Sequence, residues 1–267
     1  MIRDLSGKSV LITGGTRGIG LATGLAFAAR GARCILTYRW GSADEDDVKS
    51  RFAATGGPVP LLVQSDASSE EDREALLSSL RNETGSIDIF VSGVTGATLV
   101  TGMDDLNERA LTKTMQYTVW PTIGYVRSIR KVFGLYPRYI VALSSPGPDH
   151  FNVNYDFVAA SKASLEVLCR YLAYRLRRDD VHVNVVRTLG IRTASFNEAF
   201  GEEFSGFMTR LAPQRFLVSE DEVAGVILAL CSGLLDGMSG QVITVDKGSV
   251  FADNIMRLYA EREALGL

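Results

Sequence analysis

Apolar and polar positions along the chain switch between two periods. Short apolar runs rich in β-branched residues occupy 8–13, 31–38, 60–66, 87–92, 139–144, 181–186 and 241–246. Between them the apolar positions recur at helical spacing over 19–30, 68–84, 106–132, 159–178 and 220–232, and a polar, charged stretch at 41–56 reads as a loop and surface helix. The helix over 68–84 opens with an acidic turn, and the one over 106–132 is interrupted or bent near Pro121. Strands alternating with helices predict a doubly wound parallel α/β sheet covered on both faces. No linker, internal repeat or low-complexity tract divides residues 1–249, which read as a single domain. Residues 250–267 read as an added amphipathic helical tail carrying Ile255, Leu258 and Tyr259.

A glycine cluster follows the first strand and opens the first helix: Thr13-Gly-Gly-Thr-Arg-Gly-Ile-Gly20. Glycines there permit a tight turn and let backbone N–H groups approach a pyrophosphate at a helix N-terminus, the phosphate loop of a Rossmann-type fold. Gly14, Thr16, Arg17, Gly18, Ile19 and Gly20 are therefore expected to bind a dinucleotide. The second strand ends Thr37-Tyr-Arg39 with no acidic residue. Arginine suits a ribose 2′-phosphate where an acid would suit a 2′-hydroxyl, so Arg39 and Arg17 together favour NADPH over NADH. The alternative for each is a solvated surface arginine. Asp66, followed by Ala67 at the end of the third strand, is placed to accept from an adenine amino group, or else to cap the next helix.

The stretch 144–162 leaves a buried strand, crosses a Pro/Gly loop and enters a long helix. Ser145, Tyr155 and Lys162 can meet there in one cleft. The tyrosine would give a proton to a substrate oxygen; the lysine would lower its pKa and hold the cofactor ribose. Tyr155 stands seven residues before Lys162, about 700° of helix and within roughly 20° of two full turns, so both share a face if the helix already begins near Tyr155. Asn152-Val-Asn154 reads as its start signal. Tyr155 has a blander reading, a loop aromatic covering the helix start. His150 reads as a surface histidine, and Tyr117 and Trp120 as core or interface residues that also suit a pocket wall.

Charge narrows the partners. The chain has 28 Lys+Arg against 31 Asp+Glu, a formal net charge of −3 over 267 residues, which gives no reason to expect nucleic acid or an anionic membrane. Cys34, Cys169 and Cys231 lie far apart in apolar surroundings, suggesting reduced core residues rather than a disulfide framework or metal site. The longest apolar stretch, 223–235, is too short to span a bilayer, and the first residues lack signal-peptide architecture. A cytoplasmic protein without a metal is expected.

These residues resemble the short-chain dehydrogenase/reductase family over nearly the whole chain. The resemblance rests on Thr13-Gly14, Gly18, Gly20, Asp66, Ser144-Ser145, Ser161-Lys162-Ala163-Ser164-Leu165, Val183-Asn184, Ile191-Arg192-Thr193, Pro213, Glu222-Val223-Ala224, Ser239-Gly240-Gln241 and Val245-Asp246. It implies that Ile191 and Thr193 hold the nicotinamide carboxamide, and that the protein forms a homodimer or homotetramer. Most members place the tyrosine four residues before the lysine, which here is Val158. Their Asn-Asn-Ala-Gly after the fourth strand is Ser92-Gly93-Val94-Thr95, and their central-helix asparagine appears here as Gln116.

A tyrosine with six residues between it and the lysine is similar to the enoyl-acyl carrier protein reductase branch, as are Asn154-Tyr155 and Arg170-Tyr171-Leu172-Ala173. The chemistry agrees. Carbonyl reduction places charge on the oxygen of the carbon receiving hydride, whereas enoyl reduction places it two atoms farther away. Moving the donor back by one helical turn, ~5 Å, matches that displacement. The resemblance thus implies a small-molecule or carrier-protein-bound acyl substrate. Residues 193–215, with Phe196, Phe200, Phe204, Phe207 and Met208, read as a lid over an acyl chain or as a subunit contact. Two other readings stay open: a ketoreductase for a polyketide-like or other bulky carbonyl substrate, and a homologue that binds nucleotide without chemistry.

Overall fold

A computed structural model describes residues 4–39, 44–96, 98–189, 203, 206–207, 217–251 and 253–266. Its strands are β1 (Ser9–Thr13), β2 (Arg33–Tyr38), β3 (Leu61–Gln64), β4 (Ile89–Ser92), β5 (Tyr139–Ser144), β6 (His182–Thr188) and β7 (Val242–Val245). They form one parallel sheet in the order β3-β2-β1-β4-β5-β6-β7. The helices are α1 (Gly18–Ala28), α2 (Glu45–Ala54), α3 (Glu70–Arg81), α4 (Glu108–Thr118), α5 (Trp120–Phe133), α6 (Asp156–Leu176), α7 (Glu220–Leu230), α8 (Asn254–Ala260) and α9 (Arg262–Leu265).

Successive strand side chains point to opposite faces, so an apolar run in a central strand feeds two cores. Val10 and Ile12 of β1, with Cys34 and Leu36 of β2, pack under Phe27 of α1, Phe52 of α2 and Ile227 of α7. Leu11, Ile35, Phe90 and Ile140 point the other way, against Leu77 of α3, Ile129 of α5 and Leu165 of α6. The three cysteines are buried free thiols in these cores. The sequence pattern thus carries the doubly wound sheet with each strand near its expected place.

One boundary differs from expectation. The helix expected over 159–178 starts at Asp156, because Asn154 adopts a positive φ of 62° and turns the chain into the helix there. The interruption expected near Pro121 is present, and 106–132 holds two helices. α4 ends at Thr118 and α5 begins at Trp120 with Pro121 in its first turn, where a missing N–H is tolerated. No described helix is long and apolar enough to cross a membrane. The tail folds into α8 and α9, with Phe251, Ile255 and Tyr259 exposed.

The strand order fixes the functional end. The chain lays β1, β2 and β3 outward in one direction, then returns to place β4 on the other side of β1. Connections leave the carboxyl ends of β1 and β4 in opposite directions, opening a crevice there.

Candidate active site

The glycine loop fills one side of that crevice. Gly20 lies so close to the turn that a Cβ on it would stand 2.2 Å from the Gly14 carbonyl oxygen. Only a glycine lets α1 start directly against the loop, and this cradle suits a pyrophosphate. Across the crevice, the Gly93 N–H donates to the Thr13 carbonyl at 3.2 Å and to Thr13 Oγ1 at 3.1 Å, joining the β4 loop to β1. Thr16 is buried, Ile19 half-buried, and Arg17 exposed at the N-cap of α1.

At the outer end, Arg39 pairs with Asp66, Nη2 to Oδ2 2.8 Å, and its guanidinium lies 4.8 Å from the centroid of the Tyr117 ring. Asp66 Oδ1 accepts from the Ser68 backbone N–H and hydroxyl, while Ser69 caps α3. Asp66 therefore shapes the turn before the helix rather than capping it, and Ala67 beside it is buried. Arg39 and Asp66 meet at the edge where the second and third strands end, the place for the adenosine half of a dinucleotide.

The loop after β5 builds the inner end. Lys162, 3 % exposed, donates from Nζ to Thr95 Oγ1 and to the Leu143 carbonyl, each at 2.7 Å. Burial pulls its pKa down to about 8, partly offset by the Glu166 carboxylate one turn along α6. Tyr155 is the N-cap residue of α6, with φ −111° and ψ 11°. It therefore sits where the helical face begins, as its spacing to Lys162 requires. Its ring rests against Gly147, where a Cβ would lie 3.1 Å from Tyr155 Cδ1. Burial pushes its phenol above the ordinary value, and the neighbouring Ser145 hydroxyl offsets part of the rise. The expected lowering by Lys162 does not occur, since the lysine is turned to Thr95 and Leu143. Ser145 Oγ is buried, and beyond its approach to the Tyr155 phenol it makes no well-formed hydrogen bond in the protein. A cleft of about 330 Å³ opens beside Tyr155, walled by residues 147–152 with Asp156 and Ala159.

Val158 is fully buried. Gln116 is exposed on α4, so it does not join the lysine's network as the family pattern implied. The inward hydroxyls of this region are Thr118, which accepts from the Gly96 N–H at 3.1 Å, and Thr122, which donates to Ser92 Oγ at 2.8 Å. His150 is exposed, as expected of a surface histidine, and Trp120 is 43 % exposed. Ile191, Thr193 and all but three residues of the expected lid at 193–215 lie outside the described residues.

Sequence reasoning missed three partners. Thr95 takes the lysine's hydrogen bond at the position where the family pattern has glycine. Glu166 and Arg187 form a buried pair behind Ser144. Their signals were present: Glu166 lies four residues after Lys162, hence on the same helical face, and Arg187 is a charge inside the apolar run of β6.

A family model described as "Enoyl-(Acyl carrier protein) reductase" matches residues 14–249, which span the phosphate loop, the Ser145–Lys162 segment and β7. The chain belongs to this family of short-chain dehydrogenases/reductases. Relatives in this family divide in chemistry. The chain is 26 % identical over 267 residues to an enoyl-[acyl-carrier-protein] reductase [NADH] of Aquifex aeolicus, covering 98 % of this chain and 96 % of that one. It is 25 % identical to the 7alpha-hydroxysteroid dehydrogenase of Escherichia coli, covering 92 % and 95 %. The crystal structure of the enoyl-[acyl-carrier-protein] reductase (NADH) from Aquifex aeolicus superimposes with a TM-score of 0.80 at 26 % identity, over 93 % of this chain and 98 % of that one. The short-chain dehydrogenases/reductases are nicotinamide-dependent oxidoreductases, and the glycine cradle of this member fits such a cofactor.

Proposed function

We propose that the protein is an NADPH-dependent reductase of 2-enoyl thioesters. The observation that carries this reading is the position of Tyr155. It stands at the start of α6 beside the buried Ser145 hydroxyl, while the position four residues before Lys162 is a sealed valine. When bound, a nicotinamide would supply hydride to the β-carbon of the substrate. Tyr155 and Ser145 donate hydrogen bonds to the thioester oxygen as negative charge develops on it, and Tyr155 furnishes the proton. The raised phenol stays protonated through neutral pH, which suits a donor. Lys162 would hold the ribose hydroxyls, and Arg39, now paired with Asp66, would meet the 2′-phosphate. Ile191 and Thr193 would hold the carboxamide, residues 193–215 would close over the acyl chain, and a carrier protein or a small thioester would present it. Residues 1–249 are the cofactor-binding unit in this reading, with 250–267 an appended tail.

The test is cofactor oxidation by the purified protein, offered a 2-enoyl thioester and a β-keto thioester in parallel, with NADPH and with NADH. Oxidation of NADPH by the enoyl compound alone is expected. Turnover only with the keto compound would favour the second reading, a bulky-carbonyl reductase, which the likeness to a hydroxysteroid dehydrogenase supports. Turnover only with NADH would remove Arg39 from the 2′-phosphate.

Lys162 gives a pH dependence of known sign. Its ammonium is depressed from 10.5 to about 8, so the charged donor is present below pH 8 and lost above it. The Kd for NADPH is expected to rise as pH climbs from 7 to 9.5, by about tenfold for each unit beyond the pKa. Titration calorimetry across that range checks it, and Lys162→Met should flatten the profile. A wild-type profile as flat as that of the variant would take Lys162 away from the cofactor.

A further inference from the structure

Arg187 is the penultimate residue of β6, directly opposite Ser144 in the β5–β6 register, and is 9 % exposed. Its Nε donates to Glu166 Oε1 at 3.1 Å and its Nη2 to Glu166 Oε2 at 2.7 Å. Ser144 Oγ donates to the same Oε1 at 2.6 Å. The remaining arm, Nη1, reaches across to Asp149. Three separate parts of the fold are thus tied to one guanidinium: β6, the middle of α6, and the loop after β5.

Burying such a pair gives little net stability, because the desolvation of both charges roughly cancels their attraction; apolar side chains of similar volume would hold the layers as well. The exposed arm shows what the pair adds. Asp149 has a side chain 60 % open to solvent, yet it is bound to a guanidinium that is 11 % open. Within the loop, the N–H groups of Asp149 and His150 both donate to the Pro146 carbonyl at 3.0 Å, so 146–150 forms a closed turn. Asp149 is the one side chain of that turn bonded to the buried network. The same turn follows Ser145 directly and carries Gly147, the residue against which the Tyr155 ring rests. Displacing the turn displaces both groups that face the substrate oxygen.

We propose that Arg187 and Asp149 form a latch that sets the position of the 145–150 turn, and so act as positioning residues for Ser145 and Tyr155. Neither touches the reacting atoms. Glu166 anchors the latch from α6, and its second role is to hold Ser144, the residue before Ser145. The inference rests on the reading of Ser145 and Tyr155 as the groups that meet the substrate, and its test separates the two.

The test uses the full chain with Asp149→Ala, which removes an exposed acceptor and leaves the buried Arg187–Glu166 pair in place. Asp149→Glu restores the charge, and Arg187→Lys keeps a cation that cannot hold Glu166 with two arms and Asp149 with a third. Amide hydrogen exchange over 145–152 is followed beside that of α7, together with NADPH binding and steady-state turnover of the 2-enoyl thioester. In Asp149→Ala and Arg187→Lys, exchange over 145–152 should quicken about tenfold with α7 unchanged. In both, kcat should fall about tenfold while the Kd of NADPH stays within about twofold, because a displaced turn costs orientation and not cofactor contacts. Asp149→Glu should regain part of both losses. Unchanged exchange over 145–152 in Asp149→Ala overturns the latch, and quickened exchange with undiminished kcat overturns its positioning role. Should the wild-type protein reduce no enoyl thioester, the exchange comparison decides the latch alone, and the failure belongs to the proposed reaction.

Discussion

Tyr155→Phe is expected to lower kcat by about 10²- to 10⁴-fold, the usual weight of a positioned proton donor, and to leave the Kd of NADPH within about twofold. The substitution removes one oxygen and keeps the ring, so the contact with Gly147 and the start of α6 persist. The loss should fall on kcat and kcat/KM together, because the phenol donates most strongly when charge has developed on the substrate oxygen. Ser145 remains as a second donor, so a residual rate above background should survive in the variant. Single-turnover kinetics with a 2-enoyl thioester, beside titration calorimetry with NADPH, measure both halves. Turnover at the wild-type rate would return Tyr155 to its blander reading as an aromatic cover on the helix start.

Gly20→Ala carries the other large effect. Its methyl group would stand 2.2 Å from the Gly14 carbonyl oxygen and 3.0 Å from the Gly14 carbonyl carbon, and both obstacles are backbone. No side chain can turn aside to admit it, so the loop itself must open. Overpacking of this kind costs about 1–3 kcal/mol. Because the strained atoms are those that cradle the pyrophosphate, the same displacement should weaken NADPH about 10- to 100-fold. Melting with and without NADPH separates the two: the variant melts lower and gains less on adding cofactor. Wild-type NADPH affinity in a folded Gly20→Ala protein would move the cofactor away from this loop.

The fold was legible because its signals are local and repeated. Each apolar run in 8–13, 87–92 and 139–144 is long enough for a strand and too short for a helix, and each is followed by helical spacing. The phosphate loop was equally plain, since its glycines serve backbone geometry that other residues cannot adopt. The candidate site was legible where spacing along one element sets the geometry, as with Tyr155 and Lys162 on α6. It was opaque where the geometry joins distant elements. Lys162 bonds to Thr95 across 67 residues, while Gln116, at the family's central-helix asparagine position, is turned to solvent on α4. Arg187 and Glu166 meet through the β5–β6 register, which no single stretch of sequence encodes. The lysine's influence on the tyrosine was likewise misjudged. A shared helical face does not put two side-chain tips together when one is buried beneath the strand ends and the other caps the helix.

Val158 is fully buried, and that closure has a consequence for the history of the chain. A tyrosine placed there would have to enter a filled volume while Tyr155 still occupied the mouth of the cleft. Removing Tyr155 first would leave, on the proposed reading, only the Ser145 hydroxyl to meet the substrate oxygen. Each single step between the two geometries thus passes through a form that is either overfilled at 158 or weakened at the cleft. On the proposed reading, a chain that has buried a valine at this point is held to the displaced tyrosine.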